Sequence, residues 1–162
     1  MADKEDRPDI VIEGNTATWD IMAEGDIQGT YTGTFRFKCF LTPTQALAAS
    51  REYRSLLGDN PLQVPIHEDK LAFALAQLKY RIVSAPPFWT STTQINEMAG
   101  DLPDSNIIMA VLDSAIAAEI KYMTYIRKKK LESLKKAKRA AERLLKNEVE
   151  DESEDQENSN QP

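Results

Sequence analysis

From Ser105 to Asn147 the chain contains neither Gly nor Pro. No other stretch constrains the fold so tightly, because those two residues are the ordinary breakers of a helix. The run opens as IIMAVLDSAIAAEIKYMTYI, in which Ile108, Val111, Leu112, Ala115, Glu119, Tyr122 and Ile126 share one helical face. Only Glu119 interrupts the apolar character of that face as far as Tyr122. The run then turns basic, as RKKKLESLKKAKRAAERLLK, and the stripe thins to Leu134, Ala137, Ala141, Leu144 and Leu145. Unbroken, such a helix would be roughly 60 Å long at about 1.5 Å per residue, longer than a domain of this size is wide. The pattern predicts a helix anchored in a core by its first half, with 127–147 projecting as a basic helix. Without a strong apolar face, that second half is marginal alone.

The net charge of −6 and the pI near 4.9 conceal a segregation. Residues 127–146 carry ten basic side chains against Glu132 and Glu142. Residues 148–157 carry seven acids and no base. The distribution therefore says more about partners than the total does. The end EVEDESEDQENSNQP is expected to be disordered by composition over 148–162, as is the charged start over 1–8. Hydrophobic residues make up 41%, slightly under the globular average, which fits a chain with part of its length outside a core.

One cysteine, Cys39, excludes an intramolecular disulfide and any Cys-based zinc site. The opening MADKEDRPD lacks the apolar segment of a signal peptide, and no apolar run approaches the ~18–20 residues that span a bilayer. The expectation is a soluble protein of a reducing cytoplasm.

Ahead of the long helix, the chain reads as strands and then helices. DIVIE (9–13) and TWDIM (18–22) are two short strands around a Gly14-Asn15 turn. From Tyr31 to Leu41, Tyr31, Gly33, Phe35, Phe37, Cys39 and Leu41 alternate with Thr32, Thr34, Arg36 and Lys38. That period of two marks a strand with one buried face, broken at Phe40. Thr42-Pro43 is a helix start, and Gly58 is the stop. The apolar positions of that helix are Ala46, Ala49, Tyr53, Leu56 and Leu57. A second helix runs from about Asp69 to Ser84, with Leu71, Ala74, Leu75, Leu78 and Ile82 on its stripe; Pro86-Pro87 ends it. PPFWTSTTQINEMAG is a short helix or an ordered loop, and Asp104 is placed to cap the long helix. The fold class is α+β: a small N-terminal antiparallel sheet packed on a helical bundle, with a domain over 9–126.

No catalytic constellation emerges. His67 is the sole histidine, placed in a surface loop beside Glu68 and Asp69, with no second His or Cys to complete a common site. Cys39 alternates with Phe35 and Phe37 and reads as a buried small residue rather than a nucleophile. Asp101 and Asp104 lack the further oxygen ligands a cation needs. Gly25, Gly29 and Gly33 match neither a dinucleotide fingerprint nor a phosphate-binding loop. No enzyme activity, metal or cofactor is expected. Two features suit partner binding. Phe88 and Trp89 either close the core or form an aromatic anchor. Arg127, Lys128, Lys129, Lys130, Lys135, Lys136, Lys138 and Arg139 form a solvated face, a dock for an acidic or helical protein, or a phosphate-binding patch. No aromatic residue interleaves the basic run, which argues against base stacking. The acidic end could also neutralise the basic block within the same chain.

Three segments in order carry a resemblance: GTFRFKCFLTPTQALAASREYRSLLG, LAFALAQLKYRIVSAPPFW and DLPDSNIIMAVLDSAIAAEIKYM. Over about 31–126 their layout resembles the tail assembly chaperones of long-tailed bacteriophages. The basic extension and acidic end are less typical of that family. The resemblance implies a phage protein acting in the host cytoplasm and absent from the mature virion. It implies a non-enzymatic chaperone that coats the tape measure protein, keeps it soluble and promotes tail tube assembly. Its partners would be the tape measure protein and the tail tube protein. Self-association is a further option; no membrane partner is expected, and nucleic acid is disfavoured. Family members often occur as a short and a frameshift-extended form. The alternatives are a structural virion protein of the tail or head–tail connection, and a nucleic-acid-binding module using the basic helix.

Overall fold

The computed structural model describes residues 10–90 and 102–158, with side chains for 10–89 and 102–144. The expectations for 1–8, for 91–101 and for 159–162 lie outside the described residues. The chain divides into two units, Met1–Tyr122 and Met123–Pro162.

The first unit is α+β. Its sheet has four antiparallel strands in the order β1 (Val11–Glu13), β2 (Thr16–Gly25), β3 (Gly29–Lys38), β4 (Ile82–Ser84). The Gly14-Asn15 turn joins β1 to β2, as the sequence predicts. β2 and β3 form a ten-residue hairpin from Thr16↔Lys38 to Gly25↔Gly29. The alternation read from Tyr31 onward is realised. Tyr31, Phe35, Phe37 and Cys39 are buried, while Thr30, Thr32, Thr34 and Arg36 face solvent. β2 repeats the pattern with Ala17, Trp19 and Ile21. Phe40, where the alternation fails, is partly exposed and stacks on Tyr122 at 5.6 Å.

α1 (Pro43–Leu57) starts in a full capping box. The Gln45 backbone N–H donates to Thr42 Oγ1 at 3.3 Å, and the Thr42 N–H donates to Gln45 Oε1 at 3.2 Å. Of its apolar stripe only Ala49 is buried, and α1 packs chiefly on α2. Lys79 pairs with Glu52 at 3.1 Å, and the Tyr53 ring meets Phe73 edge-on while its hydroxyl donates to Asp69. α2 (Ile66–Arg81) begins three residues before the sequence predicts and ends three residues earlier. The difference is instructive: Ile82–Ser84, read as the last turn of the helix, is strand β4 on the free edge of β3. β-branched Ile82 and Val83 suit that edge, and pairing outweighs the weak helical preference of so short a segment. α3 (Pro87–Thr90) follows directly.

α4 (Ser105–Asn158) closes the core with Ile107, Ile108, Val111, Leu112, Ala115 and Ala118, against the sheet and against Ala74 and Leu78 of α2. The helical assignment runs past Asn147 to Asn158, into the stretch whose composition predicts disorder. No Gly or Pro intervenes there to stop it, and Glu is a good helix former. Glu119, the acid within the apolar stripe, has its explanation at 2.7 Å. It accepts from Nη2 of Arg81, the last residue of α2, which is 8% exposed. Nη1 of Arg81 is buried with no hydrogen-bond partner among the described residues. Replacing Glu119 by Gln leaves that cation uncompensated; chemical denaturation should show a loss of roughly 1–3 kcal/mol. An Arg81→Met, Glu119→Leu double variant should recover most of it.

Asp104 does something the sequence did not predict. It sits at the head of α4, where its carbonyl accepts from the Ile107 N–H at 3.1 Å. Its carboxylate, expected to cap the helix, is instead buried against the β2–β3 turn. It accepts from the Ile27 and Gln28 backbone N–H groups and from the Tyr31 hydroxyl at 2.7 Å. Gly25 makes room: a Cβ there would lie 2.6 Å from Asp104 Oδ2. Burial pushes the carboxyl up, but the bonds from Tyr31 and from the turn's N–H groups outweigh it and hold Asp104 below its ordinary range. The same contact raises the Tyr31 phenol to about 12. A depressed Asp104 stabilises above the ordinary carboxylate range and loses that contribution as pH falls through its folded-state value. A raised Tyr31 stabilises below its usual value and loses that contribution as pH climbs to about 12. Thermal melting should therefore weaken at both extremes, and Asp104→Asn should reduce the pH dependence at each.

Candidate partner-binding surface

The sequence nominates two places for a partner, and the structure separates them. Phe88 and Trp89 lie on α3, directly after Pro86, which presses on β3. A Cβ at Gly33 would fall 2.4 Å from Pro86 Cβ, so only glycine admits this approach. The close packing carries the two aromatics onto the sheet. Trp89 is 3% exposed, with its ring edge-on to Phe35 at 5.2 Å. Phe88 meets Tyr31 at 5.0 Å and Phe35 at 6.0 Å, both edge-on. Ring pairs of this geometry belong to a packed interior. Of the two readings of Phe88 and Trp89, core closure is the one realised, and the nomination of Trp89 as a partner-binding residue is corrected: it is buried, and Phe88 is half-buried against the same cluster.

The basic block differs in every respect. In the second unit each described side chain, from Met123 to Leu144, is exposed. Arg127, Lys128, Lys129, Lys130, Lys135, Lys136, Lys138 and Arg139 are all among them. The ion pair described within this segment, Lys138 to Glu142 at 3.9 Å, is an exposed i,i+4 contact of little energetic weight. Large apolar side chains accompany the bases: Met123, Tyr125 and Ile126 just before them and Leu131, Leu134 and Leu144 among them are exposed as well. The sequence reading put Ile126 on the core stripe. It is 38% exposed, and the described buried stripe of α4 ends at Ala118, with Tyr122 half-buried. Periodicity could not show this, because the 3.6-residue repeat outlasts the sheet and α2 that cover it.

The remaining candidates show no site. His67 lies in the first turn of α2, not in a loop; its side chain is largely exposed, with Nε2 3.8 Å from Glu68. Cys39 is fully buried and burial pushes its thiol up, with Arg81 lowering and Glu119 raising it to lesser degrees. A raised, buried thiol is a poor nucleophile. Among the described residues no group of three His, Cys, Asp or Glu side chains could hold a metal ion. No described helix is long and apolar enough to cross a membrane. Comparison with known proteins finds no matching family model, no matching curated protein and no matching solved structure.

Two variants separate the surfaces. Trp89→Ala should destabilise by about 3–5 kcal/mol in denaturant titrations, as a buried aromatic does. Truncation after Tyr125 should leave melting cooperative, because none of the side chains described beyond it belongs to the buried core.

Proposed function

We propose that this chain is a non-enzymatic assembly chaperone that takes a long helical protein client along its C-terminal helix. One observation carries the reading: an uninterrupted helical segment, 123–144, whose side chains are all exposed and which mixes bases with large apolar residues. A helix of this kind offers i, i+3, i+4 anchors to the apolar stripe of another helix, and the bases suit acids flanking that stripe. Many weak contacts along one long client act together through effective concentration. The resemblance to tail assembly chaperones supplies the client class. The chain would hold a phage tape measure protein soluble in the host cytoplasm while tube subunits gather on it, and would be left out of the virion.

Co-expression with a long helical tape measure protein should keep that client in the soluble fraction. Charge reversal at Lys128, Lys129 and Lys130 should return most of it to the pellet. Equal precipitation with and without the chain would reject the reading. The exposed bases also favour a second reading, phosphate binding. It requires affinity for duplex DNA that survives physiological salt, with a steep dependence on salt above it.

A further inference from the structure

The two charge blocks of the second unit lie on one continuous helix. Their centres are about 24 Å apart along its axis at ~1.5 Å per residue. Charges that far apart are screened from each other in physiological salt, where the Debye length is about 8 Å. The acidic end therefore reaches only the nearest bases of its own helix, Arg143 and Lys146, and leaves those of 127–139 without it. The acids are also badly placed locally. Residues 148–157 hold seven carboxylates and no base in the last turns of α4, where the helix dipole is already negative. Such a helix end is stabilised by cations brought from elsewhere.

A second copy supplies them. We infer that the C-terminal helices of two copies pair antiparallel, the basic block of each lying along the acidic end of the other. A parallel pair would set ten bases against ten and seven acids against seven, so charge dictates the antiparallel choice. Superposing the two charge centres places the two-fold axis beside Leu144, which is 66% exposed and would meet its own symmetry mate. Such an interface is isologous and closes at two copies. The apolar seam is thin, Leu134, Ala137, Ala141 and Leu144, so electrostatics and not burial holds the pair together. The association is accordingly salt-sensitive and readily exchanged for a better partner. It covers the same basic face that the client reading uses, yet it needs no client to be observed.

Sedimentation equilibrium of the full chain should show a monomer–dimer equilibrium at low salt. Its dissociation constant should rise at least about tenfold as ionic strength goes from 0.05 to 0.5 M. Two charge-reversed variants sharpen the test, one with Lys135, Lys136, Lys138 and Arg139 changed to Glu, the other with Glu150, Asp151, Glu152 and Glu154 changed to Lys. Each should be monomeric alone, and an equimolar mixture should dimerise. Recovery of helical circular dichroism on mixing would count in favour even if either variant loses helix by itself. Orientation is read by oxidation of single thiols, the native Cys39 being buried. Leu144→Cys should cross-link to itself and Leu134→Cys should not, its mate lying some 30 Å away in an antiparallel pair. A chain that stays monomeric at low salt, a mixture that fails to dimerise, or equal cross-linking at 134 and 144 would overturn the pairing. None of those outcomes touches client binding, which the solubility assay reads separately.

Discussion

The first unit depends on a single buried carboxylate. Asp104 connects the tip of the β2–β3 hairpin to the head of α4 across more than seventy residues of chain. The turn at 26–28 has N–H groups with no strand to pair them. Those turn residues are themselves exposed, but Asp104 is buried, and a buried carboxylate left without donors is destabilising, so it is Asp104 that needs the turn. Asp104 accepts from two of these groups and from the Tyr31 hydroxyl. In doing so it sets where α4 begins and which face of it meets the sheet. Ile107, Ile108 and Val111 then fall on the hydrophobic side, and the core follows from that placement.

Around this anchor the packing is aromatic on one side and aliphatic on the other. Phe35 stands at the centre, within 6.1 Å of Trp19, Phe37, Phe88 and Trp89. Pro86 against Gly33 brings the last two of those rings in. The result places Trp89 in the core and leaves Phe88 half-buried against it. The second unit differs: no described side chain there is buried, and charge is sorted into blocks. The two units thus use opposite physics: the first excludes water around rings and branched chains, and the second presents ionised groups to it.

Much of the fold was legible in the sequence because it follows from local periods. The alternation over 31–39, the Thr42 cap, the Gly58 stop and the stripe Ile108–Ala115 all stand where the pattern places them. The misreadings share a cause. Ile82–Ser84 became a strand, and Asp104 turned its carboxylate to a distant turn. Each outcome rests on a neighbour far along the chain: β3 and the hairpin tip respectively. The choice between the two readings of Trp89, core or anchor, was likewise made by a distant ring, Phe35. Glu119 belongs with them, since its presence in an apolar stripe makes sense only once Arg81 of α2 is known to lie 2.7 Å away.

By itself the amino-acid order determined the secondary-structure types outside Ile82–Ser84, the Gly- and Pro-free helical run and the division of its charge into a basic and an acidic block. These are properties of residue type and spacing, and neighbours within a few positions suffice to produce them. Tertiary structure alone decided where the long helix stops being core. Its apolar repeat continues beyond Ala118, but side chains are buried only where the sheet and α2 cover them. Burial is a relation between distant segments, so no local pattern could have set that limit.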